Sequence, residues 1–342
     1  TKCYHFQKIL NGFLLLITSF PWTLVKLLTV SAVLVLSVQV LVRTLIKEPS
    51  PVPAEAYRLL SPETYQYLLN QPAACRQRSP FLVFMVPVAP QEAEAREAIR
   101  KTWGAPRPDT LTLFYMGLPD SGQVSGFQDM LEEEHRKHAD IIQMTFLESY
   151  QNLTIKTMMM IKWVVTHCPN ASYVMKVDSD NFVNVFYILR WLRSLPRQRF
   201  ITGSVISDGR PRRDKSKWSL SEEQYPEDSF PPYVSGAGYV FSADLAARIS
   251  WASRFVPMIS LEDVYVGLCL RVLGIRPVYS KATQPLTVTS VMNISLNLCI
   301  ANKFTKALAW LLYWIAMYCT SVQSTVCTWD LCLKGVTILA LL

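Results

Sequence analysis

Between Phe81 and Val205 the chain repeats one pattern: a short apolar run, then a longer run with helix-forming chemistry, then another short apolar run. Phe81-Leu-Val-Phe-Met-Val86 reads as a buried strand ended by Pro87. Pro90 then opens a helix with Glu92, Glu94 and Glu97 early, Arg100 and Lys101 late, and Gly104 beyond its end. That is the charge order helix termini favour. Strands at 111–116, 141–146, 173–180 and 200–205 are separated by predicted helices at 125–138, 152–167 and 186–195. Strict alternation of this kind predicts an α/β fold, with an open, twisted and largely parallel sheet flanked by helices on both faces. Ligands of such sheets bind beyond the carboxyl ends of the strands.

The strand Tyr173-Val-Met-Lys-Val-Asp-Ser-Asp180 ends in two carboxylates. Residues two apart on a strand share a face, so Asp178 and Asp180 are expected to converge. A pair of carboxylate oxygens suits a hard divalent cation, and such a cation suits a diphosphate. A solvated strand-end loop is the alternative for this segment alone; its place at a strand's carboxyl end favours the metal reading.

The 342 residues allow one large domain with appendages. Half are hydrophobic, and the excess lies at the two ends. Lys26 is the one charge between Ile9 and Val42, so residues 1–47 read as a short tail followed by an uncleaved signal anchor. Glu48-Pro-Ser-Pro-Val-Pro53 opens a Pro-rich stem, taken as 48–67. The globular domain is expected over 68–280, and 281–342 is an atypical apolar tail. The net charge of +8 is scattered apart from Arg210-Pro-Arg-Arg-Asp-Lys-Ser-Lys217, and lacks the aromatic interleaving of a nucleic-acid groove. Asn152, Asn170 and Asn293 head sequons that would accept glycans in a secretory lumen. The cysteines show no C-x-x-C spacing, which argues against structural zinc. Cys75, Cys168 and Cys269 are candidates for disulfides, with the pairing open.

Four further segments carry chemistry-bearing residues. They are Arg96-Glu-Ala-Ile-Arg-Lys-Thr-Trp-Gly104, Tyr150-Gln-Asn-Leu-Thr-Ile-Lys156-Thr157 with Asp140 upstream, Pro231-Pro-Tyr-Val-Ser-Gly-Ala-Gly-Tyr-Val-Phe241 and Leu261-Glu-Asp-Val-Tyr-Val-Gly-Leu-Cys-Leu270. With K-x-D-S-D-x-F-V-N between the second and third, their order closely resembles the β1,3-galactosyltransferase family, which is related to the β1,3-N-acetylglucosaminyltransferases and the Fringe proteins. The similarity covers roughly Leu68 to Tyr279.

The resemblance implies a GT-A-like fold and a single-pass type II enzyme of the Golgi membrane, its catalytic domain lumenal. Galactose would pass from UDP-galactose to the 3-hydroxyl of a terminal N-acetylglucosamine-type acceptor on a glycoprotein or glycolipid, inverting to a β1,3 linkage. Manganese is the implied cofactor, held by Asp178 and Asp180, with Asp180 the better candidate for direct contact. Asp263 maps to the base. Arg96, Arg100, Asp140, Lys156, Asp178, Gly236 and Gly238 are candidates for the donor site. Trp218, Tyr233 and Glu262 are candidates for the acceptor site. The partners implied are a UDP-sugar, a glycan acceptor and the Golgi membrane, with no nucleic acid.

The chain departs from the family pattern in two places. The family completes its metal site with a His after the E-D-V block, whereas His5, His135, His138 and His167 all precede Asp178. Val234 stands where many relatives carry Cys, which is expected to leave Cys269 without its usual bridge. These departures predict weakened manganese binding. They keep two alternatives open, an N-acetylglucosaminyltransferase and an inactive membrane-anchored relative.

Overall fold

A computed structural model describes residues 22–45, 49–76, 79–119 and 124–279. Residues Thr1–Ser50 and Pro51–Leu342 form separate compact units. Within the first, α1 (Trp22–Leu45) is a 24-residue helix. Its Trp22–Val40 stretch has a mean hydropathy of 2.0, and is long and apolar enough to cross a bilayer. The apolar tail and Asn293 lie outside the described residues.

The second unit is built on one eight-stranded sheet. Its strands are β1 (Tyr67–Leu69), β2 (Leu82–Pro87), β3 (Thr110–Leu118), β4 (Ile141–Leu147), β5 (Tyr173–Val177), β6 (Ile201–Ile206), β7 (Tyr233–Ser242) and β8 (Val278–Tyr279). They lie in the order β1-β4-β3-β2-β5-β7-β6-β8. The helices are α2 (Ala93–Lys101), α3 (Val124–His138), α4 (Leu153–His167), α5 (Val185–Leu192), α6 (Asp244–Ala252) and α7 (Glu262–Val272).

The pleat sorts side chains between two cores. Val83 and Met85 of β2 face a core shared with α4, α6 and α7. Leu82, Phe84 and Val86 face a second core, with Ile99 of α2, Leu131 of α3 and Val185, Ile188 and Leu192 of α5. Strands buried on both faces read as continuous apolar runs, which is why β2 carries no polar residue before Pro87. The last helix ends on Gly274 at φ +62°, with Gly274 N–H donating to the Arg271 carbonyl and Ile275 N–H to that of Leu270. This double bond closes a helix C-terminus where only glycine is free of strain.

Three expectations need correction. The sheet is mixed, because β7 runs antiparallel to both β5 and β6 and β1 runs against β4. No helix separates β6 from β7, and an antiparallel neighbour needs no crossover helix. The expected stem at 48–67 is partly domain. Val52 N–H donates to the Arg254 carbonyl, Leu60 is buried in the first core and β1 begins at Tyr67. Finally, β5 stops at Val177, so Asp178 and Asp180 lie in the turn that follows.

The parallel group β4-β3-β2-β5 reverses its order at β2, which leads to β3 on one side while β5 lies on the other. A crevice forms at such a reversal, beyond the strands' carboxyl ends. The Asp178–Asp180 turn stands there.

Cys75 and Cys168 form a disulfide that ties the segment after β1 to the end of α4 across 93 residues of chain. Cys269 is a buried free thiol, as expected. Cross-linking so distant a pair restricts the unfolded chain, so Cys75→Ser is expected to lower stability by about 2–4 kcal/mol. A urea melt reads this, and an unshifted midpoint would assign the tie to the neighbouring Trp163–Asn70 hydrogen bond instead.

Candidate active site

A single buried ammonium organises the end of β5. Val174, Lys176 and Asp178 alternate with Tyr173, Met175 and Val177, and the latter three face the second core. Lys176 is 4% exposed. Its Nζ lies 2.6 Å from Asp178 Oδ1 and 2.9 Å from Glu262 Oε1, and it also donates to the Gly236 carbonyl. The two carboxylates and a carbonyl replace the water that Lys176 loses on burial.

The Asp178–Asp180 turn is fastened to β7. Asn181 N–H closes the turn on the Asp178 carbonyl at 3.1 Å. Asp178 N–H and the Asn181 side-chain amide both donate to the Ala237 carbonyl at 3.2 Å, and Asn181 also donates to Asp180 Oδ1 at 3.0 Å. Asp180 is exposed. The two carboxylates are therefore brought together by a turn, not by the strand pleat.

Glu262 and Asp263 open α7, where the helix dipole favours negative charge. Asp263 Oδ2 accepts from Gly236 N–H at 3.1 Å and Oδ1 from Val264 N–H at 2.8 Å. The base candidate and the metal-side turn are thus anchored on neighbouring residues of β7, Gly236 and Ala237. A Cβ at Gly236 would lie 2.7 Å from Glu262 Oε1, so glycine is what admits this close approach. Gly238 pairs with Val177 at the end of β5. Glu262 is 6% exposed and accepts from Tyr239 Oη at 3.4 Å. Burial first, then the Asp263 and Asp178 charges, raise the Glu262 carboxyl to about 7 against the pull of Lys176.

Lys156 (3% exposed) stands at the carboxyl ends of β2, β3 and β4. It donates to the Val88 carbonyl at 3.0 Å and to Glu148 Oε1 at 2.7 Å, and Glu148 Oε2 accepts from Gly117 N–H at 2.7 Å. Burial lowers the Lys156 pKa, so the ammonium depends on Glu148.

Arg96 and Arg100 are engaged within the protein. Arg96 is 1% exposed, donates through Nε and Nη2 to both oxygens of Glu134, and reaches the Ala89 and Pro90 carbonyls. Arg100 forks onto Asp140 at 2.7 and 2.8 Å and reaches Glu134 at 2.7 Å. Arg96, Arg100 and Asp140 bind α2 to α3 and to the start of β4.

On the open side stand aromatic residues. Trp218 is 42% exposed, with the Arg212 guanidinium 4.7 Å and the Lys217 ammonium 4.6 Å from its ring centroid. Lys217 also lies 5.6 Å from the Tyr150 ring. Tyr150 and Tyr233 both feel Asp263: burial comes first in raising each phenol, and the Asp263 carboxylate adds to it. Trp218, Tyr233 and Glu262 therefore border the Asp263 side of the crevice.

Of the sequons, Asn170 lies exposed in a turn. Asn152 is drawn into the fold, its amide donating to the Leu147 carbonyl and the Thr154 hydroxyl buried on the Ile259 carbonyl. A glycan at Asn152 would replace one amide hydrogen and leave the other to donate to Leu147.

Sequence reasoning missed Lys176, Glu148, Tyr150 and Tyr239. The signal for Lys176 was present: a lone cation in an apolar strand, two residues before a carboxylate, must be paired if it is buried. Glu148 and Tyr239 carried no local sign, because their partners are distant in sequence.

The Glu262 proton generates a pH prediction. The folded chain holds it up to about 7, whereas the ordinary glutamate value is 4.5. The folded form thus binds the extra proton between these values, and stability from this group falls as pH rises through that window. Glu262→Gln is expected to flatten the stability–pH curve there in denaturant melts. An unchanged slope would place the proton elsewhere.

The family model described as Galactosyltransferase matches residues 94–281, more than half of the chain. Mouse beta-1,3-galactosyltransferase 1 is 43% identical over 227 residues, covering 64% of this chain and 69% of that protein. Mouse beta-1,3-galactosyltransferase 2 is 43% identical over 223 residues, covering 63% of this chain and 52% of that protein. The human form of the latter is 44% identical over 223 residues, covering 63% and 52% respectively. The chain thus spans about half to two thirds of the length of these relatives. A mannosyltransferase structure from Pyrobaculum calidifontis shows 12% identity and a TM-score of 0.32 over 83% of this chain and 86% of that one, a likeness too faint to bear weight. On the family match and the identity to these relatives, the chain belongs to the galactosyltransferase family.

Proposed function

We propose that this chain is a hexosyltransferase moving galactose from UDP-galactose to the 3-hydroxyl of a terminal N-acetylglucosamine-type acceptor, with inversion to a β1,3 linkage. The observation that carries the reading is the convergence of the Asp178–Asp180 turn and Asp263 on Gly236 and Ala237. Diphosphate-side and hydroxyl-side carboxylates then face one crevice at the strand-order reversal. The names of the relatives support galactose and the β1,3 linkage.

In the proposed reaction Asp263 accepts the proton of the acceptor hydroxyl. The hydroxyl oxygen forms a bond to the anomeric carbon as the bond from that carbon to the diphosphate breaks, and its electron pair leaves with UDP. Attack opposite the leaving group inverts α to β, through a transition state of oxocarbenium character. The backbone amides of Gly236 and Val264 fix the Asp263 carboxylate in place. Lys176 holds Asp178 and Glu262 on either side of this centre. Tyr150, Trp218 and Tyr233 offer ring faces to the acceptor sugar.

Manganese fits the donor set in one specific form. Asp180 presents an exposed carboxylate, while Asp178 shares one oxygen with Lys176. Among the described residues no group of three or more His, Cys, Asp or Glu is placed to hold a metal ion by itself. Two carboxylates with substrate phosphates make a sufficient set for a hard cation, so protein and diphosphate would hold the ion jointly. Bound there, it would neutralise charge on the departing diphosphate.

An apolar α1 and a disulfide, which persists in oxidising compartments, support a membrane-anchored enzyme working in the Golgi lumen. The test is a donor-by-acceptor transfer assay with manganese and with chelator. Asp263→Asn and Asp180→Ala are each expected to lower kcat by about 10²-fold or more. Product formation untouched by both changes would refute the roles. Turnover of UDP-N-acetylglucosamine above UDP-galactose would reassign the donor.

A further inference from the structure

The cationic loop before β7 is not spent on holding the fold together. Arg213 alone of its arginines does that work, donating to the Leu220 and Tyr225 carbonyls at 2.8 Å. Leu220 N–H returns to the Arg212 carbonyl at 2.9 Å, and Asp214 caps the Ser216 amide at 3.1 Å. These bonds pin both ends of a closed loop, so Arg212, Lys217 and Trp218 project from a fixed frame. All three are exposed. Among the described residues no carboxylate forms an ion pair with Arg212 or Lys217.

The two cations share the indole of Trp218, and Lys217 also lies over Tyr150. An aromatic face gathers cations at little cost, and it is also the surface on which a sugar ring stacks. The loop is coupled to the reacting centre from two directions. Tyr233 is raised by burial and then by Asp263, while Arg212 opposes the rise. Tyr150 is raised by burial and then by Asp263, and has the Lys217 ammonium 5.6 Å from its ring. Lys217, 5.6 Å from the Tyr150 ring, and Arg212 thus set positive charge by the two phenols that the Asp263 carboxylate also influences.

We propose that Arg212 and Lys217, set around Trp218, form an anion subsite that selects acceptor glycans carrying a sulfate ester or a carboxylate on or next to the acceptor sugar. The subsite rests on the acceptor side assigned above and deepens it. The sugar ring stacks on Trp218 and the anion meets the two cations, which ring faces hold but no carboxylate among the described residues pairs at ion-pair distance. The planar guanidinium fork of arginine can pair with two oxygens of either anion.

The experiment compares three oligosaccharides with the same terminal N-acetylglucosamine: neutral, 6-O-sulfated, and bearing a neighbouring glucuronate. The full chain is expected to show kcat/KM about tenfold higher for at least one charged acceptor than for the neutral one, the effect of two exposed charge pairs. The preference shrinks as salt screens it. In R212Q/K217Q the charged-to-neutral ratio falls toward one. Which charged arm is favoured tells sulfate from carboxylate. Equal kcat/KM for all three on the native chain overturns the subsite. So does a raised UDP-galactose KM in R212Q/K217Q with the acceptor ratio unmoved, which would assign the cations to the diphosphate. Calorimetric binding of the same oligosaccharides separates this from the enzymatic reading. Charge-selective binding without turnover of any donor keeps the subsite and defeats the transferase assignment, and binding blind to charge defeats the subsite.

Discussion

Lys176 is an ammonium with almost no water around it, and the active-site crevice is arranged by what it needs in water's place. Stripping a lysine of solvent is costly unless charges and hydrogen bonds are returned to it. Here they come from three parts of the chain: Asp178 just beyond its own strand, Glu262 at the start of α7 and the carbonyl of Gly236 on β7. Meeting that need draws the strand-end turn, the helix and the neighbouring strand together. Removal of one partner from such a cluster would leave a buried charge uncompensated, at about 3–5 kcal/mol. The cluster carries two carboxylates against one ammonium, and Asp263 adds a further negative charge. Burial, with the Asp263 and Asp178 charges beside it, raises the Glu262 carboxyl against the pull of Lys176.

The sheet supplies the setting. Reversal of strand order at β2 opens the crevice, and the antiparallel β7 closes it on one side. Glycine at 236 matters because backbone, not side chain, is what Lys176 and Asp263 both bind there. Farther out, Arg96, Arg100, Glu134 and Asp140 join α2 to α3 and β4. Fork-shaped arginine pairs of this kind fix orientation as well as distance.

Much of this was legible in the sequence because it depends on local rules. The strands β2 to β6 and the helices between them follow from runs of apolar residues and from helix-end chemistry, and each was expected within a few residues of where it stands. Asp178, Asp180 and Asp263 were legible as carboxylates at element ends. The pleat argument for the first two failed at a single point, since β5 stops one residue short of Asp178. Arg96 and Arg100 invited a phosphate reading because two cations on one helix face are indistinguishable, in sequence, from two halves of a salt bridge. In the structure both pair with carboxylates 38 and 40 residues away.

The sequence by itself determined the alternation of elements, the apolar N-terminal helix and the carboxylates that terminate a strand and open a helix, because these rest on the order of neighbouring residues. Only the tertiary structure decided that β7 enters antiparallel beside β5, that the supposed stem is part of the domain, and that Lys176 joins Asp178 to Glu262. Each of those outcomes is fixed by burial and pairing between residues far apart in the chain, where no local pattern of residues records the partner.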